Sequence, residues 1–254
     1  MDTVFQDWLA ALEARHLAEL RVPEVTRALR ALSSAYVERR RQTTTSTGGR
    51  RVHGALDSAG KRAAFALFYA PLHFIAVSHV VGARGSNMAS PKTIIDLGCG
   101  TGSAGAAWAL ATQPFPSVIG IDRHPWAVDE ARWTYQQLGL QGRARQGDVT
   151  KAMPLRRGDG VLAAYVLNEL PDEARTKIEA RLLDIAANGG RVLVIEPIAR
   201  AIAPWWGDMV ARFASVGGRA DEWRLPIDLP PLLEKFDRAA GLNHRELTFR
   251  SLFV

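Results

Sequence analysis

The chain has 254 residues, 47% of them hydrophobic and 23% charged, enough for one sizeable core and a small accessory region. Lys and Arg number 32 against 26 Asp and Glu, giving a net charge of +6, an excess that favours a polyanionic partner such as RNA without requiring one. The single cysteine, Cys99, excludes an internal disulfide and a cysteine-built metal cluster, and points to a reducing, cytoplasmic compartment. The opening residues MDTVFQDW lack the basic-then-apolar layout of a signal peptide.

The first ninety residues read as helical. Phe5, Trp8, Leu9 and Leu12 recur at helical spacing, and a second helix opens near Pro23 with Val25, Leu29, Leu32 and Tyr36 on one face. Glu38 to Gly54 is rich in Arg, Thr and Gly without an apolar period, and reads as a mobile basic loop. Ala63 to Gly82 is long and apolar enough to span a membrane. Its Pro71, His73, Ser78 and His79 favour a buried helix pair broken at Pro71 instead. Gly82 to Pro91 reads as a linker, so residues 1–90 form a helical N-terminal region and 91–254 a second domain.

From Thr93 the pattern alternates strand and helix. TIIDL is the first strand and Ser103–Thr112 its helix; SVIGID (Ser117 to Asp122) is the second, and Pro125 opens the next helix. RARQGD holds a short third strand, GVLAAYVL (Gly160 to Leu167) the fourth, and RVLVIEP the fifth. Helices from Pro171, Trp205 and Pro230 follow in turn, and ELTFRSLFV ends the pattern as a strand. Only one convincing strand follows Gly217, and GGRADEWR reads as a charged lid or loop. Continuous apolar strands alternating with helices predict an α/β fold: a parallel, Rossmann-like sheet covered on both faces.

The most informative stretch is Thr93 to Ala111. A strand ends in Asp96, then Gly98, Gly100 and Gly102 alternate before a small-residue helix. Gly100, Gly102 and Gly105 match the dinucleotide fingerprint, and Asp122 stands twenty residues past Gly102, where an acid takes ribose hydroxyls. Asp96 argues against a pyrophosphate, because a carboxylate at the strand mouth repels one. It suits S-adenosyl-L-methionine, which carries an ammonium and a sulfonium and no phosphate. Asp148, after the third strand, is placed to accept a hydrogen bond from an adenine amino group.

DLGCGTG, IGIDRHP and GDV, in that order, resemble the class I S-adenosylmethionine-dependent methyltransferases over roughly residues 93–254. The resemblance implies a seven-stranded sheet with its last strand antiparallel. It also implies cofactor contacts from Asp96, Gly98, Gly100, Gly102, Asp122 and Asp148, with Cys99, Arg123, Val149 and Asn168 beside them. AYVLNELP and VLVIEP, behind an apolar helical segment, look more loosely similar to the small-ribosomal-subunit-associated methyltransferase-like family, which implies ribosomal RNA or a ribosomal component as acceptor. The cysteines that many of those relatives carry for an iron–sulfur cluster are absent here.

Ligands sit beyond the carboxyl ends of parallel strands, which brings Asn168-Glu169-Leu170-Pro171, Glu196-Pro197 and Trp205-Trp206 into view. Asn168 and Glu169 are the candidates for orienting or removing the acceptor's proton, against a plainer role as caps of the helix that Pro171 opens. Glu196 either faces the substrate or pairs with Arg200 one helical turn on, and the pairing is favoured. Trp205 and Trp206 either stack on a planar acceptor or pack a helix on the sheet. The six histidines show no metal-ligand grouping, so no metal is expected. Three functions follow: a methyltransferase on RNA, with the Arg39–Arg51 loop as its phosphate contact; a small-molecule methyltransferase; and a non-catalytic assembly factor with the same fold.

Overall fold

The computed structural model describes residues 3–42, 56–84, 90–151 and 158–254. The chain forms two compact units, Met1–Leu72 with Arg224–Leu247, and His73–Trp223 with Thr248–Val254. In the first, α1 (Thr3–His16) and α2 (Val22–Gln42) bury the apolar faces their spacing predicts: Phe5, Trp8, Leu9 and Leu12 from α1, and Val25, Leu29 and Leu32 from α2. Helix α9 (Pro231–Ala240) adds Leu233 and Phe236, and Arg30 Nη2 donates to the Ala239 carbonyl. Because α2 runs to Gln42, the start of the expected basic loop is helical. The rest of that loop, through Arg51, lies outside the described residues.

The segment around Pro71 corrects an expectation. It is one helix, Ala59–Arg84, made of α3 (Ala59–Ala64), a π turn (Phe65–Tyr69) and α4 (Ala70–Arg84). Proline offers no N–H to the carbonyl four residues back and crowds it. The wider π turn, closed by Ala70 N–H to the Phe65 carbonyl, comes just before Pro71 and lets the helix continue where a break was expected. By length and composition this helix could cross a membrane, but 67% of its most apolar window is buried inside the protein, as in a core helix.

The second unit carries a seven-stranded sheet of order β3-β2-β1-β4-β5-β7-β6. Strands β1 (Thr93–Leu97), β2 (Ser117–Asp122), β3 (Gly142–Gln146), β4 (Gly160–Ala164) and β5 (Arg191–Pro197) run parallel. Their central members are mostly apolar because both faces are covered, with Asp96 and Glu196 near the carboxyl ends as the buried exceptions. Val161, Ala163, Val192 and Val194 face Ile178 and Leu182 of α7 (Asp172–Ala187) and Met209 and Phe213 of α8 (Trp206–Ala214). On the opposite face of β1, α5 (Ser103–Leu110) buries Trp108 completely, and α6 (Pro125–Gln137) follows β2.

The far edge holds two strands after Gly217, where one was expected. β6 (Arg219–Pro226) flanks β7 (Glu246–Phe253), which runs antiparallel to β5 with Glu196 opposite Arg250. GGRADEWR is therefore largely strand. Its charged residues hide the alternation, as on an edge strand with one face in water. Trp223 marks the inner face: its indole N–H donates to Ser251 Oγ at 2.8 Å and its ring stacks along Phe249.

Candidate active site

The loop from β1 to α5 is built around two carboxylates. Asp96 ends β1 at 1% exposure, and its Oδ2 accepts the Gly105 N–H at 3.0 Å. It thus lies beneath the turn, tying the first turn of α5 to the strand. Burial raises its pKa to about 7. Gly105 is required there, since a Cβ would come within 2.7 Å of Asp96 Oδ2. Gly102 is the other glycine that geometry demands. Its φ is +78°, and a Cβ would press into the Tyr135 ring at 2.7 Å.

Asp122, at the end of β2, faces the same loop. Its Oδ2 accepts the Gly100 N–H at 3.0 Å and its Oδ1 accepts the His124 N–H at 2.8 Å. A carboxylate has about four acceptor positions, so two remain for ligand hydroxyls. Gly98 and Cys99 both donate their N–H to the Ile121 carbonyl, which locks the turn to β2. Cys99 is 5% exposed, and burial pushes its thiol well above the ordinary range, so it fills space beside Gly120 and is no nucleophile. Asp148 is exposed, and its Oδ1 accepts the N–H and hydroxyl of Thr150, which lowers its pKa. Val149 is half-buried beside it, and Arg123 is exposed, its carbonyl accepting Gln146 Nε2.

A second cluster forms at the ends of β4, β5 and β7. Strand β4 stops at Ala164, short of the expected Leu167, because Tyr165 turns into the left-handed region at φ +56° while its N–H holds the Ile195 carbonyl. That turn brings Leu167 and Asn168 over β5. Glu196 Oε1 accepts the Leu167 N–H at 2.9 Å and the Asn168 N–H at 3.3 Å, and its Oε2 accepts Asn168 Nδ2. Glu196 is wholly buried, and desolvation lifts its pKa to about 8 despite these bonds. It serves the Asn168 loop where a pairing with Arg200 was expected. Neither Asn168 nor Glu169 caps α7, whose N-cap is Pro171. Glu169 is exposed in the 3₁₀ turn Leu167–Glu169.

The tryptophans pack. Trp206 is 7% exposed beneath the Arg250 guanidinium, 4.6 Å from its ring centre, and half-buried Trp205 lies against Arg175. Tyr165 and His73, which no sequence motif marks as partners, stack at 4.2 Å. Burial lowers His73 to about 4, so its imidazole is neutral at pH 7. Among the described residues no three metal-ligating side chains gather.

With this geometry in place, the chain can be set beside known proteins. Residues 94–190 match the model of a family described as a methyltransferase domain, and they hold the glycine turn, Asp122, Asp148 and Asn168. Aklanonic acid methyltransferase from a Streptomyces species is 31% identical over 48% of this chain and 56% of its own. Trans-aconitate 2-methyltransferase from Methylobacterium radiotolerans is 33% identical over 56% of this chain and 54% of its own. The chain thus spans about half the length of the curated relatives it matches. An O-methyltransferase from neocarzinostatin biosynthesis, solved with S-adenosylmethionine and 2-hydroxy-5-methyl naphthoic acid, is 17% identical, with TM-score 0.52 over 89% of this chain and 70% of its own. At that identity the likeness speaks for the fold. Residues 94–190 resemble a methyltransferase domain, and the sheet is that of the Rossmann-like methyltransferase fold.

Proposed function

We propose that the protein is an S-adenosylmethionine-dependent methyltransferase acting on a small molecule. The observation that carries the cofactor is the set of carboxylate acceptors around the glycine turn. Asp122 keeps acceptor capacity beyond Gly100 and His124, Asp148 stands exposed after β3, and Asp96 lies below. These groups suit hydroxyls, an amino group and positive charge, and repel a pyrophosphate. When bound, the cofactor supplies a methyl group already activated for transfer. The protein's part is to orient the acceptor and exclude water. Asn168, its amide pinned by Glu196, is a positioning residue for the acceptor. Exposed Glu169, next to it, is the candidate to take a proton from a nitrogen or oxygen nucleophile.

The small-molecule reading is preferred over RNA because both curated relatives are named for small acids. The ribosomal reading rests on looser phrases and on a basic segment that lies mostly outside the described residues. Incubating the protein with methyl-labelled cofactor and a cell extract separates the two. Label should enter the small-molecule fraction; label in RNA would overturn the acceptor class. Calorimetry should show S-adenosylhomocysteine binding at a single site, and no heat of binding would overturn the cofactor.

A further inference from the structure

The most unusual charge in the second unit is Arg250. It sits in β7 directly opposite Glu196, so both side chains share one face at the carboxyl end of β5, where ligands of open parallel sheets bind. It is 3% exposed, and Glu196 beside it is fully buried. Among the described residues no carboxylate forms an ion pair with Arg250, and Glu196 holds the Leu167 and Asn168 N–H groups and the Asn168 amide. Nη2 donates to the Ala203 carbonyl at 3.1 Å, and Trp206 lies across the guanidinium face. Nε has no hydrogen-bond partner among the described residues. A buried arginine is nearly always matched by acceptors, since an unanswered donor costs about 1–3 kcal/mol.

We propose that Arg250 anchors a carboxylate of the methyl acceptor through its Nε–Nη2 edge. This rests on the small-molecule methyltransferase reading and narrows it to acidic acceptors. Nη2 carries two protons, of which Ala203 takes one. On the Nε–Nη2 edge a guanidinium presents two parallel N–H groups, the fork that fits one carboxylate side-on. Trp206 and Ala203 fix the plane of that fork, so the ligand orders no flexible side chain. Within this group one guanidinium balances one negative charge, which favours a carboxylate over a doubly charged phosphate. Burial is the main effect that lowers the Arg250 pKa; the charges of Glu196 and Glu222 raise it and that of Arg200 lowers it.

The test is calorimetry on the full chain saturated with S-adenosylhomocysteine, titrated with a panel of small mono-, di- and tricarboxylic acids that includes trans-aconitate, and with the methyl esters of the same acids. At least one acid should bind ten or more times tighter than its ester. Arg250→Gln should abolish that preference, Arg250→Lys should keep part of it, and both should bind S-adenosylhomocysteine within twofold of the parent. Acids and esters binding alike, or no acid binding at all, would overturn the assignment. Should Arg250→Gln fail to fold, the acid–ester comparison on the parent protein decides alone. Loss of S-adenosylhomocysteine binding by the parent would instead strike the methyltransferase reading. Carboxylate-selective binding would stand apart from that result.

Discussion

The two ends of the candidate site use buried acids in different ways. Asp96 and Glu196 each end a parallel strand, are almost fully buried, and have pKa values raised by desolvation, to about 7 and about 8. Asp96 holds one backbone N–H, nine residues along the chain, and so braces the first helix of a continuous motif. Glu196 holds two backbone N–H groups and an amide nearly thirty residues back, and faces Arg250 across a strand pair. The first acid shapes a local turn. The second ties the Leu167–Asn168 turn to β5, opposite Arg250 of β7.

The largest expected effect is at Glu196. Glu196→Ala strips three donors of their acceptor, two of them backbone, and should cost roughly 3 kcal/mol or more in chemical denaturation. A loss under about 1 kcal/mol would mean that the Asn168 loop is held by something else. Next is Gly105→Ala, which drives a methyl group against Asp96 and Val118 and should cost about 2 kcal/mol. If it costs nothing, helix α5 can shift away from β1, and the contrast between a rigid turn and an assembled loop weakens.

This contrast explains what the sequence revealed. The glycine turn was legible because its chemistry is contiguous: strand, acid, alternating glycines and helix fall within twenty residues, and Asp122 follows at the next strand end. β1, β2 and β5 fall where the β-branched runs predict. Glu196 and Arg250 were not legible as neighbours, because their meeting depends on β7 inserting between β5 and β6. Charged edge residues hid β6, so the strand that flanks β7 was missed. Pro71 misled for a related reason. Proline reports a local hydrogen-bond problem, while the π turn that answers it is not written in any periodicity. Tyr165 in the left-handed region had no signal, since Tyr in an apolar run reads as strand.

At the cofactor end, Asp122→Ala should weaken S-adenosylhomocysteine binding about tenfold, near 1.4 kcal/mol, by removing charge-assisted hydrogen bonds. Glu196→Gln should leave that affinity within twofold. Equal losses in both variants would mean that the two ends act as one unit and are not separable.

The finest distinction is pH. Both acids have folded pKa values above their ordinary values of 3.8 and 4.5, so the folded state holds protons that the unfolded chain releases first. Stability from this source is fully present below the ordinary values and is lost as pH rises through the folded ones. For each carboxyl the loss approaches at most about 1.4 kcal/mol per pH unit. Asp96 contributes up to about pH 7 and Glu196 up to about pH 8. Glu196→Gln keeps the shape, and the Asn168 amide can turn to present its oxygen to the new NH2. That variant should flatten the decline of stability toward pH 8 by about 1 kcal/mol per pH unit, whereas Asp96→Asn should flatten it only below about pH 7. Denaturation midpoints measured from pH 5 to 8 would show this. Parallel curves for the parent and Glu196→Gln would mean that Glu196 is already ionised beside Arg250, making the acceptor end an ion pair and removing its difference from the cofactor end.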